Sequence, residues 1–340
     1  MCNLSSVSLS GLMRAIQITE LTGPATALKL VDLPEPDAAA GHPMTPGAGV
    51  VVDVTAAGVA FPELLQTRGE YQIKPDLPFV PGSEVAGVVR SASAGSGFEA
   101  GQRVAAFCML GGFAEVAIAP VHFTFPLSDQ LDDGQGAALV LNYHTAHFSM
   151  VHRGQLRSGE TVLVHGAAGG VGTASIQVAK GLGARTIAVV SSDEKEAVAR
   201  AAGADEVVRS DGDWKDEVLA LGGADMVLDP VGGDRFTDSL RSLNENGRVV
   251  VVGFTGGSIP EVKVNRLLLN NTSVVGAGWG ASVLTNPALV AATGDAIAEL
   301  IEQGFVRPPV GAHFALEEAA AALELIDSRS ATGKVVLDVA

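Results

Sequence analysis

Residues 161–180 read TVLVHGAAGGVGTASIQVAK. Thr161 to His165 is a short apolar run of the kind that forms a buried strand, while Val171, Ala174, Val178 and Leu182 recur at the spacing of one helix face. The small residues between them therefore occupy a strand-to-helix turn. The pattern Ala167-x-Gly169-x-x-Gly172 has alanine in the place of the first glycine of a dinucleotide fingerprint. Gly169 lets the backbone approach a pyrophosphate, and Gly172 lets the helix pack closely on the strand. The first amides of the helix, on Gly170, Val171 and Gly172, then face the anion with the helix dipole behind them. No Gly-Lys-Ser/Thr ending follows, which argues against a nucleoside-triphosphate loop. The turn is expected to bind a dinucleotide.

The end of the second strand decides which one. An acidic residue there would take the ribose 2′-hydroxyl of NAD and repel a 2′-phosphate. Here TIAVVSSDEK ends in Ser191 and Ser192, with Lys195 one turn on. Two hydroxyls and an ammonium suit a phosphate monoester. Asp193 and Glu194 pull the other way, although acids are also favoured in a helix first turn. NADPH is expected ahead of NADH.

Composition narrows the class. The chain has 340 residues, long enough for two cores, and its 47% hydrophobic and 18% charged content is that of a soluble globular protein. A net charge of −16 disfavours nucleic acid and anionic membrane surfaces. Two cysteines, Cys2 and Cys108, cannot build a disulfide framework or a four-thiolate metal site, which fits a cytoplasmic location. The uncharged stretch 270–294 is interrupted by asparagines, glycines and a proline, so it is a poor membrane span. Residues 1–12 read as a disordered leader, and Met13 opens the first strand.

To about Gly134 the chain shows short strands punctuated by turn residues, a β-rich pattern. After it, apolar strands (TVLVH, TIAVV, EVV, ADMVLD, RVVVVG, TSVVGAG) alternate with helical segments, among them RFTDSLRSLNENG. That alternation implies a parallel sheet covered on both faces.

Two segments in combination, AAGVAFPELLQTRGEYQIKPDLPFVPGSEVAGVV (56–89) and LVHGAAGGVGTASIQVAKGLGA (163–184), closely resemble the medium-chain dehydrogenase/reductases, in particular the zinc-free quinone oxidoreductase (zeta-crystallin-like) branch. The resemblance runs from Met13 to Val339. It implies an α/β fold in which a doubly wound Rossmann domain, 136–284, is inserted into a β-rich GroES-like catalytic domain, 13–135 with 285–340. It also implies a homodimer, with TSVVGAGWG pairing edge to edge across a two-fold. Zinc alcohol dehydrogenases of the superfamily hold their metal with a cysteine and a histidine at positions that here match Ala60 and Ser83, and their four-cysteine lobe is missing. Removing a thiolate and an imidazole leaves too few ligands for catalytic zinc, so no metal is expected.

The branch usually binds the 2′-phosphate with a lysine, a tyrosine fifteen residues later and an arginine near the C-terminus. Lys195 and Arg329 match the first and last, whereas the tyrosine position is Ser210, with Arg209 beside it. Ala60 stands where the family commonly has an asparagine near the nicotinamide, so substrate orientation is expected to differ. Thr145, Gly253, Phe254 and Trp279 fall where relatives line the nicotinamide end, and Tyr71 aligns with a tyrosine bordering the substrate cleft, either as a hydrogen-bond donor or as packing.

Other constellations carry less. His144, His147 and His152 lack a carboxylate or further ligand placed by sequence, Cys108 reads as a buried thiol, and no Gly-x-Ser-x-Gly or His-Glu-x-x-His motif supports a hydrolase. The expected activity is zinc-independent hydride transfer from NADPH to a quinone, or to an enone or enal. Two alternatives stay open: a 2-enoyl thioester reductase, and a non-catalytic NADPH-binding protein.

Overall fold

The computed structural model describes residues 11–36 and 40–339. They form two compact units. One holds the chain up to Pro126, Phe314–Asp327 and the segment from Val336 onward; the other holds Leu127–His313 with Ser328–Val335. Of the leader expected over 1–12, residues 1–10 lie outside the described residues, and Leu12 is already the first residue of the strand Leu12–Ile18.

The first unit is built on antiparallel pairing. Its central strand, Val50–Val59, is buried along nearly its whole length. It pairs with Glu84–Ala92 and with Val116–Ala119; Glu84–Ala92 pairs in turn with Arg103–Phe107, and that strand with Thr124–Pro126. The last strand, Lys334–Asp338, is also a neighbour of Val50–Val59. Close approach of two strands explains a glycine inside one of them. A Cβ on Gly87 would lie 2.0 Å from the carbonyl oxygen of Asp53.

In the second unit the apolar runs become six strands: β1 (Thr161–Val164), β2 (Arg185–Val190), β3 (Glu206–Arg209), β4 (Ala224–Asp229), β5 (Leu243–Val251) and β6 (Ser273–Gly276). All pairings are parallel and the order is β3-β2-β1-β4-β5-β6, the doubly wound Rossmann order. Helices α1 (Gly170–Gly181), α2 (Asp193–Ala201), α3 (Trp214–Ala220) and α4 (Phe236–Arg241) follow β1 to β4. Val162, Leu163, Val164, Met226, Val227 and Leu228 are buried, as strands covered on both faces must be. Strand order reverses between β1 and β4, and ligands of such sheets sit beyond the carboxyl ends of the strands at that point.

One element differs from its sequence expectation. The helical segment expected through Gly247 stops at Arg241, and β5 begins at Leu243. Asn246 takes a left-handed φ of 64°, and the pairing with β4 breaks register between Ala224 and Met226. Asparagine tolerates that conformation, so the Asn-Glu-Asn-Gly stretch bends the start of the strand rather than extending the helix.

The tight strand crossing gives a direct test. Gly87→Ala is expected to lower stability by about 1–3 kcal/mol or more, because the methyl group meets backbone. Gly280→Ala, in a short helix where a Cβ would meet nothing within 4 Å, should change it by less than about 0.5 kcal/mol. Urea unfolding of both variants measures the contrast.

Candidate functional site

The turn after β1 is held by its own backbone. His165 N donates to Leu228 O (3.1 Å), Ala167 N to Val189 O (3.4 Å) and Gly169 N to Gly166 O (3.0 Å). Gly166 has φ +58°, and Gly169 caps the helix in an extended conformation. The first hydrogen bond of α1 runs from Thr173 N to Gly169 O, 2.9 Å. A helix start leaves its first amides without an in-helix acceptor, so those of Gly170, Val171 and Gly172 are available to a ligand. The first turn holds no acidic residue, which favours an anion there.

Two glycines sit close against neighbours, Gly172 against backbone and Gly170 against the end of a side chain. A Cβ on Gly172 would lie 2.1 Å from the carbonyl oxygen of Gly166 and 2.7 Å from Ala167 Cα; on Gly170 it would lie 2.6 Å from Asn142 Nδ2. The close packing expected at Gly172 is therefore present. Asn142, a buried polar residue of the helix Val140–His147, was missed from sequence. Its signal was an asparagine one turn before Thr145 in an otherwise apolar stretch. Behind the turn, Gly333 N donates to Ala168 O at 2.7 Å, and Gly169 and Gly333 form an isolated parallel bridge.

The candidates at the end of β2 come together. Lys195 Nζ donates to Ser191 Oγ (3.4 Å) and to the main-chain oxygen of Arg329 (2.9 Å). Ser192 Oγ accepts from Lys195 N at 3.3 Å and caps α2. Ser210 N donates to Val190 O at 2.8 Å, which brings the end of β3 alongside. Arg209 donates to Ser191 O at 3.1 Å and is paired with Asp193. Arg329, exposed and left-handed at φ 59°, has Nη2 3.7 Å from the Cβ position of Gly257. Two cations, Lys195 and Arg209, thus meet at Ser191, and the Arg329 backbone is tied to the first of them.

A second group lies on other loops of the same unit. Trp279 is buried with its indole edge-on to His144, ring centroids 5.9 Å apart, and Thr145 adjoins His144 in sequence. Gly253 N donates to Asp229 O at 3.4 Å, and Phe254, 39% exposed, lies against Gly232. Asp229 also went unnoticed in the sequence. It ends β4 fully buried, its Oδ1 takes the amides of Val231 (2.9 Å) and Gly232 (2.8 Å), and burial raises the pKa of its carboxyl group.

Ala60 and Tyr71 belong to the first unit. Glu63, fully buried, accepts from Ala60 N at 3.0 Å, from Ser83 N at 2.8 Å and from Ser83 Oγ. The two positions that match zinc ligands in relatives are thus tied to one carboxylate, which leaves an alanine methyl and an engaged serine where thiolate and imidazole would stand. Zinc does not fit that donor set. Among the described residues, no group of three or more His, Cys, Asp or Glu side chains is arranged to hold a metal ion. Burial, then the charge of Glu63, raises the pKa of the Tyr71 phenol, keeping it a donor.

Comparison with known proteins agrees across the chain. The family described as an alcohol dehydrogenase GroES-like domain matches residues 46–129, and that described as a zinc-binding dehydrogenase matches residues 170–293. A quinone oxidoreductase-like protein 2 from Rattus norvegicus is 37% identical over 345 residues, covering 100% of this chain and 96% of its own. A crystal structure of a probable oxidoreductase from Mycobacterium abscessus superposes with a TM-score of 0.87 at 44% identity, covering 97% of this chain and 100% of that one. The quinone oxidoreductase of Thermus thermophilus, solved also in complex with NADPH, gives a TM-score of 0.81 at 36% identity over 96% of this chain and 100% of that one.

The histidines of this unit make stability depend on pH. Burial, then the charge of His147, pushes His144 down to about 3; burial, then Arg235, pushes His165 down to about 3; burial, then His152, pushes His147 down to about 4. A depressed folded-state pKa means that the unfolded chain takes up protons first as pH falls. Stability is then complete above about pH 6.5 and declines until about pH 4 for His147 and about pH 3 for His144 and His165, by on the order of 2 kcal/mol per imidazole at pH 5. Urea midpoints at constant ionic strength should fall across that window, with protons taken up on unfolding.

Proposed function

Because the chain belongs to the quinone oxidoreductase (zeta-crystallin-like) branch of the medium-chain dehydrogenase/reductase superfamily, we propose that it is an NADPH-dependent, zinc-independent reductase of quinones or of activated alkenes such as enones and enals. The observation that carries this reading is the pairing of a glycine turn presenting free helix amides with two cations, Lys195 and Arg209, gathered on Ser191 at the end of β2. In this assignment the amides of Gly170, Val171 and Gly172 take the pyrophosphate beside Ala167 and Gly169. Ser191, Ser192, Lys195, Ser210 and Arg329 meet the 2′-phosphate, with Arg209 in place of a tyrosine. Thr145, Gly253, Phe254 and Trp279 border the nicotinamide, and Asn142 adds an amide near the helix start.

When bound, NADPH would supply a hydride to the acceptor. The residues of the chain position, shield and hydrogen-bond. Acceptors that delocalise the arriving charge onto a carbonyl oxygen need little more, and the Tyr71 phenol, protonated well into the alkaline range, is the assigned donor to that oxygen. Ala60 offers no side-chain donor, so orientation of the acceptor falls to Tyr71 and to shape. Oxidation of an alcohol would require a base or Lewis acid for the hydroxyl proton, and the Glu63 carboxylate is already engaged by Ala60 and Ser83.

We further propose a homodimer. Ile259, Val264, Leu268 and Leu269 are 74%, 74%, 78% and 76% exposed, and β6 is the outer strand of its sheet. An apolar face beside an open strand edge is a liability unless covered, and pairing β6 with its two-fold copy would cover it. Among the described residues no helix is long and apolar enough to cross a membrane. Our assignment to the cytoplasm rests on the two cysteines, too few for a disulfide framework.

Single-turnover mixing of NADPH-loaded protein with a panel of quinones and enones should give rapid loss of reduced-nicotinamide absorbance, insensitive to chelators. Tight NADPH binding with no reaction across the panel would favour a non-catalytic binder, and a chelator-sensitive rate would overturn zinc independence. For the dimer, Leu268→Glu combined with Leu269→Glu is expected to yield monomers by light scattering, with the circular dichroism spectrum retained.

A further inference from the structure

Arg209 and Asp193 form an ion pair at the mouth of the cation rim. The guanidinium also donates from Nη2 to Ser191 O at 3.1 Å, and its Nε lies 3.6 Å from Asp211 Oδ1 while making no hydrogen bond. Asp193 is 99% exposed and Arg209 34%, so the pair is an exchangeable surface contact rather than a buried one. Asp193 is also the acidic residue nearest the strand end where an NAD-binding protein reads the ribose hydroxyls.

From this geometry we infer that Arg209 sets the dinucleotide specificity of the site in two ways, by taking the 2′-phosphate and by masking Asp193 when no phosphate is there. The inference rests on the NADPH reading above and deepens it. A phosphate monoester carries about −1.5 to −2 charges at neutral pH and offers a guanidinium paired, charge-assisted hydrogen bonds. It therefore outcompetes the solvated carboxylates of Asp193 and Asp211 for Arg209. The main-chain oxygen of Ser191 keeps the guanidinium at the strand end during the exchange, next to Lys195, whose ammonium is held by Ser191 Oγ and Arg329 O. The exchange leaves Asp193 unpaired close to the bound phosphate, so Asp193 weakens the preference that Arg209 creates. Without Arg209, Asp193 would be free to accept a ribose hydroxyl and to repel a phosphate.

Calorimetric titration of NADPH and NADH into the wild-type chain, Arg209→Gln and Asp193→Asn tests this. In Arg209→Gln the ratio of NADPH to NADH affinity should fall about tenfold or more, the loss of a hydrogen-bonded charge. In Asp193→Asn the ratio should rise about two- to fivefold, the scale of an exposed charge interaction. A ratio unaltered in Arg209→Gln, or lowered in Asp193→Asn, would overturn the inference. If the wild-type chain bound neither nucleotide, the dinucleotide reading itself would fail, and that result is distinct from either variant's.

Discussion

Everything at the candidate site depends on how closely α1 can sit on the turn that precedes it. Only a hydrogen atom fits between Gly172 and the Gly166 carbonyl, whereas Gly170 faces the end of the Asn142 side chain, which can turn aside. The Gly172 contact fixes the start of the helix relative to β1, and therefore where three unpaired amides point. A methyl group at Gly172 would push the helix outward and move the amides with it. Anion affinity in such a place comes from backbone dipoles, which carry no side-chain freedom to lose on binding. That is how a chain with a net charge of −16 can still present a small, strongly electropositive feature.

Much of this was legible in the sequence because it is local or periodic. Parallel strands buried on both faces are continuous apolar runs, and the six runs read from the chain are the six strands of the Rossmann sheet. Gly172 could be read from its spacing to Gly169, since the spacing is itself the geometric requirement. The contacts that were not legible join residues far apart in the chain. Nothing near Asn142 says that it meets Gly170, and nothing near Ala168 says that Gly333 will cap its carbonyl. The Arg209–Asp193 pair depends on β3 lying beside β2, which no run of either strand encodes. Asn246 was lost for another reason: its left-handed backbone turned an apparent helix into the bent start of a strand.

In the first unit a buried carboxylate is satisfied by ordinary hydrogen bonding. Glu63 takes three hydrogen bonds from Ala60 and Ser83, which offset the cost of burying its carboxylate. Burial first, and then the charge of Glu63, raise the pKa of Tyr71, making a phenol a poorer acid and a persistent donor.

The bond from Gly333 to Ala168 has a consequence for the making of the protein. During synthesis the strands and helices of the second unit leave the ribosome and can pair long before the strap that covers the back of the glycine turn has been translated. The backbone bonding of the turn is therefore the last part of the unit to be completed. A product released before Gly333 would hold a nearly complete sheet whose Ala168 carbonyl is left to water.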